Sequence, residues 1–303
     1  MPLVRGVGLR KVFEYGLIKK RRIVAVDNVD IEIGKGETLA LVGESGSGKS
    51  TLGRMLLLLI KPTSGKVFFD GLNLTEMKGR ELRKIRQRMQ LIPQHPEDAL
   101  DPRWKIYDSI AEPLRICKLA HKKEEEKELI YKLLEIVELR EEHLNRYPHE
   151  LSGGELQRVV IARAIALNPK FIVCDEPTSM LDVSVQASII NLLLDLQRKF
   201  GLAYLFITHD LELANAVADR MAVMYRGQIV EEGVGILDEP LHPYTKMLLE
   251  TLKMEPKIGV SGEQVNDQKG CKFYHLCPER SNKCSKPPEI VEMNGRKVRC
   301  HMY

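Results

Sequence analysis

A glycine-rich loop constrains what this chain can fold into more than any other stretch. Residues 43–51 have the sequence GESGSGKST, which fits the pattern G-x-x-x-x-G-K-[ST]. An apolar run at 38–42 predicts a buried strand before the loop, and a helical pattern at 52–60 follows it. Glycines allow a tight turn in which successive N–H groups point at phosphate oxygens, and the helix N-terminus adds partial positive charge. The loop therefore predicts a site for a nucleoside triphosphate.

The side chains of the loop predict how the nucleotide is held. Lys49 is expected to reach the β- and γ-phosphates, and the Ser50 hydroxyl is expected to ligate Mg²⁺. The alternative is a glycine-rich turn between strand and helix that binds nothing. The predicted nucleotide contacts in the loop are Gly43, Ser45, Gly46, Ser47, Gly48, Lys49, Ser50 and Thr51.

The composition is that of a globular protein. The 303 residues suffice for one large domain or two modest ones, and 44% of them are apolar. A formal net charge of +4 is too weak to argue for nucleic-acid binding by itself. No apolar run approaches the ~18–20 residues that span a bilayer, and residues 1–22 contain no signal-peptide core. We therefore expect a protein of the cytosol or of the cytosolic face of a membrane, with the basic stretch 19–22 in a solvated loop.

Predicted strands and helices alternate along most of the chain, which indicates an α/β fold with a mostly parallel sheet and helices on both faces. A helix-rich segment from 106 to about 166 interrupts this alternation and predicts an inserted helical subdomain. Further strands are expected at 9–15, 25–33, 66–71, 91–94, 171–176, 203–209, 221–225 and 228–231, and further helices at 185–200 and 213–219. The basic stretch 80–90 is either a helix or a helix-strand junction.

A second helix start carries anion-binding features. Ser152 is a good helix cap, and Gly153 and Gly154 leave bare N–H groups before a helix predicted at 159–167. The alternative is a capped helix with a flexible entry. Residues 152–154, which directly precede Glu155, are therefore a second candidate anion site.

Two carboxylates end the apolar strand predicted at 171–176. Ligands bind at the carboxyl edge of open α/β sheets, so Asp175 can hold Mg²⁺, directly or through water. Glu176 can accept a proton from the attacking water or orient it. His209 ends another predicted strand and is expected at the same edge. The alternative is an acidic pair that only faces solvent.

Together these stretches resemble the nucleotide-binding subunit of an ATP-binding-cassette (ABC) transporter over residues 9 to about 233. Glu155 stands where the family more often has glutamine, and Met180 where alanine is usual. The matching motifs are the Walker A loop (43–51), the Q-loop (Gln94), the signature (151–155), Walker B (171–176), the D-loop (179–182, ending at Asp182) and the switch histidine (His209).

The resemblance implies a fold and a set of roles. The fold is an ABC-type P-loop ATPase with a RecA-like core sheet flanked by helices and an antiparallel β subdomain, with the inserted helical subdomain at about 95–166 of a domain spanning 1–233. Phe13 is the first choice for stacking on adenine and Tyr15 the second, and either could instead be core packing. The implied catalytic residues are Glu176, His209 and Gln94, and the implied Mg²⁺ ligands are Ser50, Gln94 and Asp175.

The resemblance also implies partners. Two such domains pack head to tail, so that each signature covers the nucleotide of the other chain and a helix of a transmembrane permease docks beside Gln94. The implied signature contacts in trans are Ser152, Gly153, Gly154 and Glu155. The second ATPase is a sister subunit in a heterodimer, which the D-loop and tail favour, or a second copy in a homodimer.

Residues 234–303 form a Pro-rich tail with four cysteines, spaced Cys271-x₅-Cys277-x₆-Cys284-x₁₅-Cys300. With the His-Pro-Tyr-Thr stretch at 242–245, this tail resembles the C-terminal extension of the oligopeptide/dipeptide importer branch, which carries an iron–sulfur cluster here. Four thiolates suit a [4Fe–4S] cluster or Zn²⁺. Zinc sites usually use tighter pairs, so the spacing favours the cluster, with disulfides third. His275 and His301 are substitute ligands.

We therefore expect an ATP-hydrolysing subunit that powers import of oligopeptides or dipeptides from the cytoplasmic face of the membrane, supplied by an extracytoplasmic solute-binding protein. Importers of nickel or oligosaccharides in the same branch are the alternative. A soluble cassette protein acting on nucleic acid would need two cassettes or a long coiled-coil insertion. The basic run 80–88 is more simply a solvated face, so no nucleic-acid partner is expected. An iron–sulfur redox module would leave the ATPase motifs unexplained.

Overall fold

The computed structural model describes residues 1–16, 21–253 and 270–303, with the side chains of 251–253 left aside. These residues divide into two compact units. Unit 1 comprises Met1–Ile33, Thr38–Glu76 and Phe206–Tyr303, and unit 2 comprises Gly34–Glu37 and Met77–Leu205. The expected solvated loop at 19–22 lies partly outside the described residues. Its last two residues begin a strand instead.

Twelve strands and eight α-helices are found in the described residues. The strands are β1 (Val4–Tyr15), β2 (Arg21–Ile33), β3 (Thr38–Val42), β4 (Ser64–Phe69), β5 (Leu72–Asn73), β6 (Met89–Ile92), β7 (Phe171–Asp175), β8 (Ala203–Ile207), β9 (Arg220–Tyr225), β10 (Gln228–Gly233), β11 (Val291–Met293) and β12 (Arg296–Val298). The helices are α1 (Lys49–Leu56), α2 (Gly79–Arg86), α3 (Ile106–Ile116), α4 (Lys123–Ile136), α5 (Gly153–Ile165), α6 (Val183–Phe200), α7 (Leu211–Val217) and α8 (Pro243–Lys253).

Unit 1 contains two groups of strands. An antiparallel sheet has the order β2-β1-β4-β5, and a second set runs β8-β3-β9-β10-β12-β11, with only the end of β8 in this unit. All five residues of β3 are buried, and β3 pairs in parallel with β9. A continuous apolar run is what a parallel strand covered on both faces requires. This strand leads directly into the glycine-rich loop.

The tail after residue 233 is more regular than the sequence indicated. Helix α8 and the hairpin β11–β12 both lie in it, and β12 pairs antiparallel with β10. Short strands with exposed polar residues give little periodic signal, and the pairing with β10 is long-range. A buried cluster joins β3, β9 and β10 to α7, α8 and the cysteine-containing segment that begins at Cys271.

Unit 2 has strands in the order β6-β7-β8, and β6 pairs in parallel with β7. Helices α3, α4 and α5 lie between β6 and β7 in the chain, as the helix-rich prediction required. Helix α6 begins after Asp182, which caps it, and ends at Phe200, before Gly201, whose φ of +63° is the left-handed value common after helix ends.

Several element boundaries differ from the sequence predictions. Helix α5 begins at Gly153, not at 159, because Ser152 caps it and its glycines adopt helical backbone. Helix α1 ends at Leu56, since Leu58 has a φ of +51° that no right-handed helix can continue. Helix α7 begins at Leu211 because Asp210 accepts a hydrogen bond from the N–H of the third helical residue. Within the described ranges, no helix has the length and apolarity to cross a bilayer.

Candidate nucleotide site

The glycine-rich loop connects β3 to α1 and is closely packed against the backbone of neighbouring segments. Gly43 has a φ of +145° and Gly48 a φ of +107°, both outside the range of ordinary side chains. A Cβ at Gly43 would lie 2.1 Å from the carbonyl oxygen of Met224, and one at Gly48 would lie 2.1 Å from that of Ala25. Only glycine fits these two positions without a clash and an unfavourable φ.

The buried polar groups of the loop differ in whether the protein supplies them with a hydrogen-bond partner. Lys49 is buried, and its Nζ donates hydrogen bonds to the carbonyl oxygens of Gly43 at 2.7 Å and Glu44 at 2.9 Å. The Ser47 Oγ is also buried and has no hydrogen-bond partner among residues 1–16, 21–253 and 270–303. Gly48 begins α1 without a side-chain cap. A phosphate is the ligand that would satisfy such a helix start beside a lysine.

The two aromatic candidates for adenine stacking lie on β1 and are exposed. Phe13 is 38% exposed and Tyr15 is 47% exposed, so neither is a core residue. The Lys11 Nζ lies 5.0 Å from the centroid of the Phe13 ring. The exposed faces agree with a stacking role, and the interpretation as core packing is wrong.

In unit 2 the acidic pair follows the prediction. Asp175 is the last residue of β7 and is buried, and Glu176 follows it with a φ of +47°. The Gln94 Nε2 donates a hydrogen bond of 3.0 Å to the Glu176 Oε2. The structure therefore brings together Gln94 and Glu176, two of the residues predicted to be catalytic.

The signature stands at the start of α5 and satisfies its own hydrogen bonds. The Ser152 Oγ accepts a hydrogen bond of 3.4 Å from the Glu155 N–H. The Ser152 N–H and hydroxyl both donate to the Glu155 Oε2, at 2.8 and 2.9 Å. The Ser152 N–H and then its hydroxyl lower the pKa of Glu155, and His143 adds to this. This capping box is readable from the sequence S-x-x-E, a signal that the sequence analysis did not use.

The remaining predicted residues lie at element ends. Asp182 caps α6 through a 3.0 Å hydrogen bond from the Val185 N–H to its Oδ1. His209 is exposed and follows the end of β8 by two residues. The loop and His209 belong to unit 1, whereas Gln94, the acidic pair and the signature belong to unit 2.

The four cysteines of the tail line one cavity of about 260 Å³ in unit 1. All four are free thiols, and burial raises the pKa of Cys271, Cys277 and Cys300. In the described part of the chain, no group of three or more His, Cys, Asp or Glu side chains is arranged to hold a metal ion. Cys174 lies in β7, fully buried, and burial raises its pKa, as expected for a core thiol.

Comparison with known proteins identifies the family. A family described as "ABC transporter" matches residues 26–179. The chain belongs to the ABC transporter ATP-binding family. A second family, described as the C-terminal region of oligopeptide/dipeptide transporters, matches residues 231–284 of this ABC protein.

Relatives of this ABC ATPase extend over its whole length. A putative oligopeptide transport ATP-binding protein of Bacillus subtilis is 44% identical over 318 aligned positions, which cover 100% of this chain and 96% of the relative. The di/tripeptide transport ATP-binding protein of Pseudomonas aeruginosa is 43% identical over 299 positions, with 94% and 92% covered.

Solved structures agree on the fold. A dimeric ATP-binding cassette in a post-hydrolysis state, bound to ADP and Pi, has a TM-score of 0.69 and 33% identity. It covers 76% of this chain and 97% of that cassette. The predicted ABC cassette fold and the predicted ATPase activity are confirmed.

Proposed function

We propose that this ABC ATPase powers the import of oligopeptides or dipeptides through a membrane permease. The observation that carries the proposal is the match of residues 231–284 to the C-terminal region of oligopeptide/dipeptide transporters, on the same chain as the cassette. The peptide-transport names of the relatives support it. No similar support favours nickel or oligosaccharides as cargo, or nucleic acid as partner.

The chemistry is assigned residue by residue. Lys49 neutralises charge on the β- and γ-phosphates, and the loop N–H groups bind phosphate oxygens. Ser50, Gln94 and Asp175 are the residues that would hold Mg²⁺, which would neutralise phosphate charge, and Glu176 orients or deprotonates the attacking water. The buried Ser47 hydroxyl and the uncapped start of α1 support the phosphate position. Phe13 stacks on adenine, with Tyr15 as the alternative, and His209 contacts the γ-phosphate.

The assembly is proposed to contain two ATPase chains and a permease. The signature residues 152–155 and Asp182 act on the nucleotide of the second chain, a sister subunit in a heterodimer or, alternatively, another copy. The dimeric state of the related cassette supports this arrangement. The helix-rich stretch 95–166 acts as the helical subdomain that receives the permease at the cytoplasmic face of the membrane, in a catalytic domain spanning 1–233.

The decisive variant for hydrolysis is Glu176→Gln. It keeps the size of the side chain and removes the base, so ATP binding and dimerisation should persist while turnover falls by about 10²–10⁴-fold. Size-exclusion chromatography with ATP and phosphate release measure the two properties. Glu292→Gln, at an exposed position of β11, is the control and should hydrolyse ATP normally. Normal hydrolysis by Glu176→Gln would remove this residue from the mechanism.

Cargo is tested by uptake into cells. Cells lacking this chain should fail to accumulate a labelled dipeptide, and the wild-type chain should restore uptake while Glu176→Gln should not. Labelled nickel and an oligosaccharide are measured in the same strains. Restoration of either of these without the dipeptide would redirect the proposal to another cargo.

We further propose that the cysteine cavity, within the extension 234–303, holds a [4Fe–4S] cluster, with Zn²⁺ as the alternative. Four free thiols around one cavity support the proposal. Zinc sites usually use tighter cysteine pairs than these four cysteines provide, so their spacing along the chain favours the cluster. Anaerobically purified protein should contain iron, and Cys277→Ser should lose it while Cys117→Ser should not. Stoichiometric zinc without iron would overturn the assignment.

A further inference from the structure

A tyrosine of the tail touches the glycine-rich loop directly. The backbone N–H of Glu44, the second residue of the loop, donates a hydrogen bond of 3.2 Å to the Oη of Tyr244. Tyr244 lies in the first turn of α8 and is fully buried. One backbone donor of the loop is therefore satisfied by a side chain that follows it by 200 positions.

Aromatic packing fixes the position of this hydroxyl. The Tyr244 ring centroid lies 4.4 Å from that of Tyr225 and 5.6 Å from that of Phe273. Tyr225 and Phe273 also meet edge to face, at 5.4 Å. The three rings belong to the same buried cluster as Val42, which ends the strand before the loop. Because the rings hold one another, the hydroxyl is placed in advance of any ligand.

A second tail residue holds the loop through an intermediate turn. The Lys272 Nζ donates to the carbonyl oxygen of Arg226 at 2.9 Å and forms an ion pair with Asp27 at 2.7 Å. The N–H of Gly227 in that turn donates to the Ser47 carbonyl oxygen at 2.8 Å, and the Asp27 N–H donates to the Gly227 carbonyl oxygen at 2.8 Å. The loop is thus supported at one position directly and at another through the turn.

We propose that the C-terminal extension positions the phosphate-binding loop, with Tyr244 as the direct positioning residue and Lys272 as the indirect one. The inference rests on the proposed role of residues 43–51 in binding phosphate. Phosphate affinity depends on how the loop N–H groups are oriented in the free protein, before phosphate binds. Without the Tyr244 hydroxyl, the Glu44 N–H would turn toward water or another acceptor, and part of the binding free energy would be needed to restore the loop.

The test compares two buried tyrosines in the full-length protein. Tyr244→Phe removes the hydroxyl that accepts from the loop. Tyr204→Phe, the matched control, removes a buried hydroxyl that donates to the Leu193 carbonyl oxygen at 2.9 Å. Both should lose similar thermal stability. Only Tyr244→Phe should raise the Kd for a fluorescent ATP analogue and the KM for ATP, by about threefold to tenfold, with kcat within twofold of wild type.

A second pair of variants tests the indirect contact. Lys272→Met should weaken binding of the same analogue about threefold, and Lys272→Arg should restore it because the cation still reaches Asp27. Iron and zinc contents are measured for every variant. These measurements distinguish a loss of metal at the neighbouring Cys271 from a direct effect of Lys272 on the loop. A change in nucleotide affinity that follows metal content, and not the substitution, would overturn the role of Lys272.

Failure of the inference is distinguishable from failure of the proposed site. If Lys49→Ala binds the analogue as wild type does, residues 43–51 are not the phosphate site. If Lys49→Ala loses binding while Tyr244→Phe and Tyr204→Phe both bind normally, the site is correct and Tyr244 is only a packing residue.

Discussion

The helix starts of α1 and α5 both follow glycine-containing loops but satisfy their backbone N–H groups in opposite ways. At α1 the cap is Gly48, which offers no side-chain acceptor, and the first turn contains no acidic residue. At α5 the cap is Ser152, which exchanges hydrogen bonds with Glu155 three positions later. A helix start leaves about four N–H groups without internal partners. The first start depends on an outside acceptor, and the second already has its own.

The charges reinforce this difference. Lys49 lies at the start of α1, where it adds to the positive end of the helix dipole. Glu155 lies in the first turn of α5 with a lowered pKa, so it is ionised at neutral pH. A carboxylate there stabilises the helix but opposes a second anion. The comparison teaches that the start of α1 offers its N–H groups to an outside anion, whereas the start of α5 already holds a carboxylate of its own.

The largest expected loss of stability is at the start of α1, which has no side-chain cap. Gly48→Ala should cost more than about 3 kcal/mol in the free energy of unfolding, since it adds left-handed strain and a clash with the Ala25 carbonyl. Gly46→Ala is the matched control, because its φ of +78° is also positive but nothing lies within 4 Å of the added Cβ. It should cost about 1–2 kcal/mol. Equal losses in urea unfolding would show that close packing does not restrict this loop.

A smaller loss of stability is expected at the start of α5, which Ser152 caps. Ser152→Ala removes the side-chain acceptor and should destabilise the protein by about 1 kcal/mol, a fall of ~2–4 °C in Tm. Ser152→Thr keeps a hydroxyl and should recover most of the loss. The measurement is thermal unfolding without nucleotide. If threonine is as destabilising as alanine, the capping box is not what stabilises α5.

The smallest effect concerns the Glu155 carboxylate and its dependence on pH. Ser152, first through its N–H and then through its hydroxyl, holds the pKa of Glu155 below its ordinary value. The resulting stability is present above the unfolded-state pKa and is lost as pH falls through the lowered pKa. Wild type should therefore lose more Tm between pH 6 and about pH 3.5 than Glu155→Gln does. Parallel Tm curves would contradict a stabilising role for the charge.

Local patterns predicted much of the fold and of the site. The apolar run at 38–42, the loop after it and the acidic end of β7 all depend on neighbouring residues, which a sequence displays directly. The start of α5 was predicted six residues late, since paired glycines normally oppose helix formation. Here the capping box at Ser152 and Glu155 overcomes that preference.

Long-range contacts could not be predicted in this way. The His-Pro-Tyr-Thr stretch marked the tail, but nothing in it indicates that the Tyr244 hydroxyl meets the Glu44 N–H. The hydrogen bond between Gln94 and Glu176 joins residues 82 positions apart. Such contacts depend on how strands pair and helices pack, and no periodicity along the chain reports that.

The sequence alone predicted a phosphate-binding loop after β3 and two carboxylates at the end of β7, because backbone freedom, charge and side-chain chemistry are properties of the residues themselves. Only the tertiary structure decided that the Tyr244 hydroxyl meets the Glu44 N–H and that Gln94 meets Glu176. Such contacts form where segments far apart in the chain pack in the same core, and close packing of the core determines which groups touch.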